Sequence, residues 1–347
     1  MTEAVATLNP GYFALVMATG IVSIGMRDHS LTVLSTALLW LTAISYAVLV
    51  GLTICRATLF PAALRADFTD PRRGFGFLTF VAGTDVLGTR LAVAGHRQAA
   101  LALLAVGWVA WILLGYVVPW TAVLGRQDRP VIAAANGTWF IWVVASQSVA
   151  VLAATLEPAV NTGRRELALL AVFSWAVGVF LYAAAGIFVA ARMMLYPLLP
   201  ADLTPPYWVA MGATAITVLA GARIVQMADA PMVTVTRGLV AGASVVFWAF
   251  GTWLIPVLIA AGWWRHVTHR IPLRYEATLW SIVFPLGMYG VAGHYIGSAD
   301  HLPIVRLIGD NETWVGLAAW ALTFTAMVAH LLRTLVLQPR IRTVTSG

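Results

Sequence analysis

The chain contains no lysine. Its 21 basic residues are all arginine, set against 14 acidic residues for a net charge of +7 over 347 residues. Cysteine is almost as scarce. Cys55 stands alone, which excludes an internal disulfide and a cysteine metal cluster. Charged residues make up only 10% of the chain, whereas 61% is hydrophobic and the mean hydropathy is +0.86. No soluble domain buries that much apolar surface, so a polytopic protein of the lipid bilayer is expected. The opening MTEAVATLNPGYF lacks a basic n-region, so no cleaved signal peptide is read. The stretches between apolar segments are too short for a second folded domain, leaving one transmembrane domain over 1–347. There is no Walker loop, zincin motif, nucleophile elbow or dinucleotide fingerprint. Nothing therefore supports ATP-driven transport, and no catalytic residue, metal or cofactor is expected. The arginines sit in short loops without a basic tail, which argues against nucleic-acid binding and suits a small anionic substrate.

What is present is a series of apolar runs. Hydropathy places ten spans at 9–26, 31–55, 75–95, 98–124, 131–156, 165–195, 205–227, 237–264, 276–297 and 312–337. With both termini on one side, that side gathers Arg56, Arg65, Arg72, Arg73, Arg126, Arg129, Arg192, Arg265, Arg270, Arg274, Arg333, Arg340 and Arg342. The positive-inside rule then puts both termini in the cytoplasm. The odd spans carry glycine, proline and polar residues, while the even ones are mostly plain apolar helix. Lipid tolerates broken or polar helix only beside protein or a water-filled cavity. The expected fold is all-α: five helical hairpins, an inner ring of five parallel odd helices inside an outer ring of five even ones.

Charged groups within a bilayer are functional-site candidates. Asp85 lies about ten residues into its helix, near the midplane by helical rise. Arg90, Gln147, Arg223 and His294 lie roughly 15 to 18 residues from their cytoplasmic ends, so they could ring one outward vestibule. Arginine suits a carboxylate or oxyanion and keeps its charge in a dry site. Asp85 either pairs with Arg90 or Arg223 or takes up a proton. In WSIVFPLGMYG, Pro285 removes a backbone donor and kinks its helix. The adjacent Phe284 either plugs a narrow path or packs in the core. Gly20, Gly83, Gly137, Gly212 and Gly287 are read as points where the odd helices bend. His266 and His269 fit a solvated loop, Trp263 and Trp264 interfacial anchors, and His330 a packed, hydrogen-bonded group.

Four motifs carry a resemblance: NPGYFALVMATGIVS, FGFLTFVAGTDVLGTRL, PPYWVAMGATAITVLAG and LWSIVFPLGMYGVA. Over nearly its whole length the chain resembles the tellurite-resistance/dicarboxylate transporter family, which spans TehA, fungal malate permeases, sulfite efflux pumps and plant slow anion channels. The resemblance implies ten helices as five hairpins, a central pore lined by the odd helices, and a homotrimer. It also implies that Phe284 occludes that pore. The substrate class it implies is a small anion, either a C4-dicarboxylate such as malate or an oxyanion such as sulfite or tellurite. Asp85, Arg90 and Arg223 would add fixed charge to an otherwise apolar pore, which leans toward a proton-coupled carrier over a passive channel. The expected location is a bacterial plasma membrane. A membrane-embedded enzyme acting on lipid or quinone, or a receptor without transport, are the alternatives.

Overall fold

The computed structural model describes residues 2–126, 129–228 and 230–334, and among these every regular element is helical. The α-helices are α1 (Thr2–Ala6), α2 (Ala14–Asp28), α3 (Thr32–Leu59), α4 (Pro61–Thr69), α5 (Thr79–Val93) and α6 (Arg97–Pro119). They continue as α7 (Ile141–Leu156), α8 (Arg164–Leu195), α9 (Val209–Val225), α10 (Pro231–Trp263), α11 (Trp280–Ala299) and α12 (Pro303–Leu332). Eight of them, with their flanking turns, are long and apolar enough to cross a bilayer: α3, α5 to α10, and α12.

The first and ninth expected spans fall outside that set. With its opening 3₁₀ turn at Pro10–Phe13, α2 is long enough, but its apolar run is diluted by that turn and by Arg27 and Asp28 at its end. α11 has 20 residues but is diluted by Pro285, His294 and several glycines. Both are almost wholly buried, and a helix surrounded by protein need not present an apolar face to lipid. The last two long helices start earlier than hydropathy placed them, at Pro231 and Pro303, each proline sitting in the first turn where its missing donor costs nothing. Residues 335–337 of the last expected span, with Arg340 and Arg342, lie outside the described residues.

Burial separates the helices into two kinds. In α5, α7 and α9, 78–89% of the most apolar window is buried, against 11–33% in α3, α6, α8, α10 and α12. The second group therefore carries the lipid-facing surface, with side chains such as Trp40, Phe180 and Trp253 more than half exposed. Among the buried helices, α2 packs on α5, α5 on α7, α7 on α9, α9 on α11, and α11 on α2 again. Each also packs on the helix that follows it in sequence.

The glycines expected to bend the odd helices all lie where two helices or turns meet. α2, α5, α9 and α11 continue as α-helix through Gly20, Gly83, Gly212 and Gly287, and Gly137 opens the 3₁₀ turn ahead of α7. They are points of close approach. A Cβ at Gly20 would fall 2.6 Å from Val86 Cγ1 on α5, and one at Gly212 would fall 2.8 Å from Pro285 Cγ on α11. Gly83 faces Val16 of α2, Gly287 faces Ile21 and Val22, and Gly137 lies on the Pro206–Tyr207 peptide. Small residues bring helix backbones together where lipid offers no competing solvent force.

Candidate functional site

Each buried helix is introduced by a 3₁₀ turn: Pro10–Phe13 before α2, Gly74–Leu78 before α5, Gly137–Phe140 before α7, Pro205–Trp208 before α9 and Ala277–Leu279 before α11. Two turns are capped by asparagine. Asn9 Oδ1 accepts from Gly11 N and Asn136 Oδ1 from Thr138 N, each at 2.8 Å. All five turns border one cavity of about 570 Å³, so five helix N-termini converge on it. Their partial positive charges favour an anion.

The same cavity is lined by Arg72, Arg73 and Arg192. Arg73 lies 3.0 Å from Asp67, a carboxylate it shares with Arg56 at 2.6 Å, and Arg192 pairs with Asp202 at 3.2 Å. Arg72 has no ion pair among the described residues and is exposed to the cavity. Tyr275, just ahead of α11, bonds the hydroxyl of Tyr12 at 2.7 Å and accepts from Trp280 Nε1 at 3.2 Å, tying the start of α11 to α2. Burial pushes the Tyr275 hydroxyl well above the usual phenol range, so it stays neutral.

A second cavity, of about 10 Å³, lies among α2, α5, α7, α9 and α11 and no other element. Ile21, Ile24, Val86, Val151, Ile216, Leu219 and Met288 make it apolar, with Thr89 and Ser148 as its polar members. It has room for about one water. Phe284, 1% exposed, can be placed by register. Ser281 lines the large cavity and Met288 the small one. Residues three and four apart share a helix face, so Phe284 stands on that face of α11 between the two cavities.

Most of the charged and polar residues expected on the lining turn away from it. Asp85 is fully buried, and its carboxyl is seated against Gly107 of α6, where a Cβ would overlap Oδ1. Among the described residues it pairs with neither Arg90 nor Arg223; Oδ2 instead accepts from Ser148 Oγ at 2.9 Å. Gln147 is likewise seated against Gly178 of α8 and donates to Trp175 O at 3.1 Å. Arg90 donates from Nε to Ser23 Oγ and from Nη2 to Ser35 Oγ, each at 2.8 Å, binding α5 to α2 and α3. His294 Nδ1 lies 2.7 Å from Asp310 Oδ1 on α12. Of the four residues expected to share one vestibule, Gln147 turns to α8, whereas Arg90, Arg223 and His294 all lie within electrostatic reach of Asp28, Arg90 and His294 being held there by bonds to outer helices.

Arg223 is the exception. Its guanidinium lies over the Tyr295 ring, 3.9 Å from the centroid, a cation–π contact. The Tyr295 hydroxyl donates to Asp28 Oδ1 at 3.1 Å. Arg72, Asp28 and Tyr295 were missed by sequence reasoning. Arg72 was read only as one of the loop arginines, although it stands directly before the glycine-rich start of an odd helix. Elsewhere, His266 and His269 bond the backbone carbonyls of Ile271 and Trp264. His330 packs its ring 5.4 Å from that of Tyr275, and Trp263 is 63% exposed at the end of α10. No cluster of metal-ligating side chains occurs among the described residues.

These features define an all-helical membrane protein whose five buried helices border a small, mostly apolar cavity. Over residues 7–328 the chain matches the voltage-dependent anion channel (SLAC1) family and belongs to it. An uncharacterized membrane protein of Mycobacterium tuberculosis is 72% identical over 156 residues, covering 45% of this chain and 79% of that one. Two uncharacterized transporters of Methanocaldococcus jannaschii are similar over most of their length. One is 24% identical over 90% of each chain, and the other is 23% identical over 93% of this chain and 94% of its own. The family and these relatives support anion transport in general, and a transporter in place of an enzyme.

Proposed function

We propose that this protein passes small anions, a C4-dicarboxylate such as malate or an oxyanion such as sulfite, along the axis between α2, α5, α7, α9 and α11, with Phe284 as the constriction. In this reading the five helices form an inner ring, with α3, α6, α8, α10 and α12 outside it, making ten spans from α2 and α11 together with the eight apolar helices. The large cavity is then the cytoplasmic mouth, the termini are cytoplasmic, and the chain sits as a homotrimer in a bacterial plasma membrane.

One observation carries the proposal. The small cavity is bounded by all five buried helices at once, and the face of α11 that reaches it from the mouth runs Ser281, Phe284, Met288. A large ring between a wide basic mouth and a one-water cavity closes an apolar path by occlusion and dewetting. The test is anion efflux from proteoliposomes. Phe284→Ala should raise it at least about tenfold, equivalent to about 1.4 kcal/mol of barrier. Unchanged efflux from folded protein would sink the gate assignment.

A specific contact also favours proton coupling as a second reading. Ser148 borders the small cavity and donates to Asp85, so one hydroxyl separates the buried carboxyl from the axis. A proton reaching the axis could exchange with Asp85 through Ser148, linking proton to anion movement.

A further inference from the structure

We infer that the far end of this axis holds a binding site, built from Asp28, Arg223 and Tyr295, for a singly charged oxyacid anion that retains one acidic hydrogen. The inference rests on the pathway proposed above and adds a site and a ligand class to it.

The register places the three residues on the path. Ile24, Leu219 and Met288 border the small cavity. Asp28 and Arg223 follow the first two by four residues, and Tyr295 follows the third by seven. Each therefore stands on the same helix face, one or two turns farther from the mouth. Tyr295 organises the group: its ring carries the Arg223 guanidinium at 3.9 Å, and its hydroxyl holds Asp28 Oδ1 at 3.1 Å.

Two atoms at this cluster are shielded from solvent and have no hydrogen-bond partner among the described residues. They are Arg223 Nε, a donor, and Asp28 Oδ2, an acceptor. Arg90 adds a third, Nη1, on a side chain whose residue is 2% exposed and whose other nitrogens are engaged by serines. The groups within electrostatic reach of Asp28 are Arg223 from α9, His294 and Tyr295 from α11, Arg90 from α5, and His29 beside it. A free donor and a free acceptor on two residues both held by Tyr295 suit a ligand that both accepts and donates. A halide or nitrate satisfies only the arginines and meets the Asp28 carboxylate with repulsion. A fully deprotonated dianion meets it with more. A monohydrogen oxyanion accepts from Arg223 through one oxygen and donates its hydrogen to Asp28 through another.

Hydrogencarbonate and nitrate make the deciding pair, since both are flat three-oxygen monoanions and only the first has an acidic hydrogen. The full chain carrying Phe284→Ala is reconstituted in vesicles, and each anion is titrated as an inhibitor of chloride efflux at one pH. Hydrogencarbonate should inhibit at a concentration at least about tenfold lower than nitrate, the worth of one hydrogen bond to a charged group. Adding Asp28→Ala should bring that ratio to about one, and Tyr295→Phe, which removes a single oxygen, should move it part of the way. A ratio near one before either substitution overturns the site, as does a ratio that neither substitution changes. If Asp28→Ala does not fold, the Phe284→Ala ratio and Tyr295→Phe still decide. Absence of chloride efflux above empty vesicles in the Phe284→Ala protein instead removes the pathway itself.

Discussion

Replacing Gly212 by alanine tests whether the packing of α9 on α11 holds the constriction closed. A Cβ at 212 would lie 2.8 Å from Pro285 Cγ, 3.2 Å from its Cβ and 3.3 Å from its Cα. Carbon atoms settle at about 3.5–4.0 Å, so the two helices must part by roughly half an ångström or more. The neighbour cannot rotate aside, because a pyrrolidine ring is rigid and the third contact is backbone. Overpacking of this kind costs about 1–3 kcal/mol. That strain falls on the arrangement in which Pro285, and with it the adjoining Phe284, lies against α9. Moving α11 away relieves it. If the relieved arrangement is the conducting one, efflux should rise by about 5- to 150-fold, the range that 1–3 kcal/mol spans at room temperature. The assay is anion efflux from proteoliposomes, paired with thermal melting in detergent. In a Phe284→Ala background the same substitution should add little, since the ring whose position it alters is gone. Lowered melting with unchanged efflux, or an undiminished effect in the Phe284→Ala background, would refute the coupling.

Further outcomes are expected at other sites. Arg72→Gln should slow anion uptake from the mouth about two- to fivefold at low ionic strength and much less in high salt, because an exposed charge steers ions only within a Debye length; uptake rates across a salt series measure this. Asp85→Asn keeps an acceptor for Ser148 but cannot exchange a proton. It should preserve efflux without a pH gradient and abolish any stimulation by one. Arg56→Met leaves Asp67 without its 2.6 Å partner in a buried pair. It should destabilise the protein by about 3–5 kcal/mol, read as a lower melting temperature, with Arg73 supplying only partial compensation.

The alternation of polar and plain helices was legible because burial changes what a helix may contain. Polar and glycine-rich runs cannot face lipid, so the odd segments had to lie inside whatever their order around an axis. Which face of each inner helix meets the axis was not legible. In a soluble helix the apolar stripe marks the core, but here apolar side chains serve both the axis and the packing surfaces. Asp85 and Gln147 show the consequence. Their depth was readable from residue number, yet their direction depends on Gly107 and Gly178 of the neighbouring helices, which open the room they occupy. The partners of Arg90 were hidden for a related reason. Ser23 and Ser35 look like ordinary small packing residues until they are seen engaging each other and the guanidinium at once. Phe284 could be positioned along α11 from register alone, between Ser281 and Met288.

Turning the charged residues away from the axis changes where discrimination between ions can reside. On the proposed pathway an anion crossing the apolar section meets no fixed opposite charge there, so that section sets a barrier and little preference. The residues bounding the small cavity span only about one helical turn on most of the five helices, roughly 5 Å by the rise of an α-helix. A dry stretch that thin is short enough for one aromatic ring to dominate it. Preference must then come from the two ends, where charge is concentrated: five helix N-termini with Arg72 at the mouth, and Arg223 with Asp28 at the far end. This division separates rate from selectivity. Substitution at Phe284 should scale the flux of every small anion by a similar factor, and substitution at the ends should change their ranking. A constriction variant that reorders the anions would mean that the apolar section itself recognises them, and that side chains behind it, Asp85 through Ser148 above all, take part in the passage.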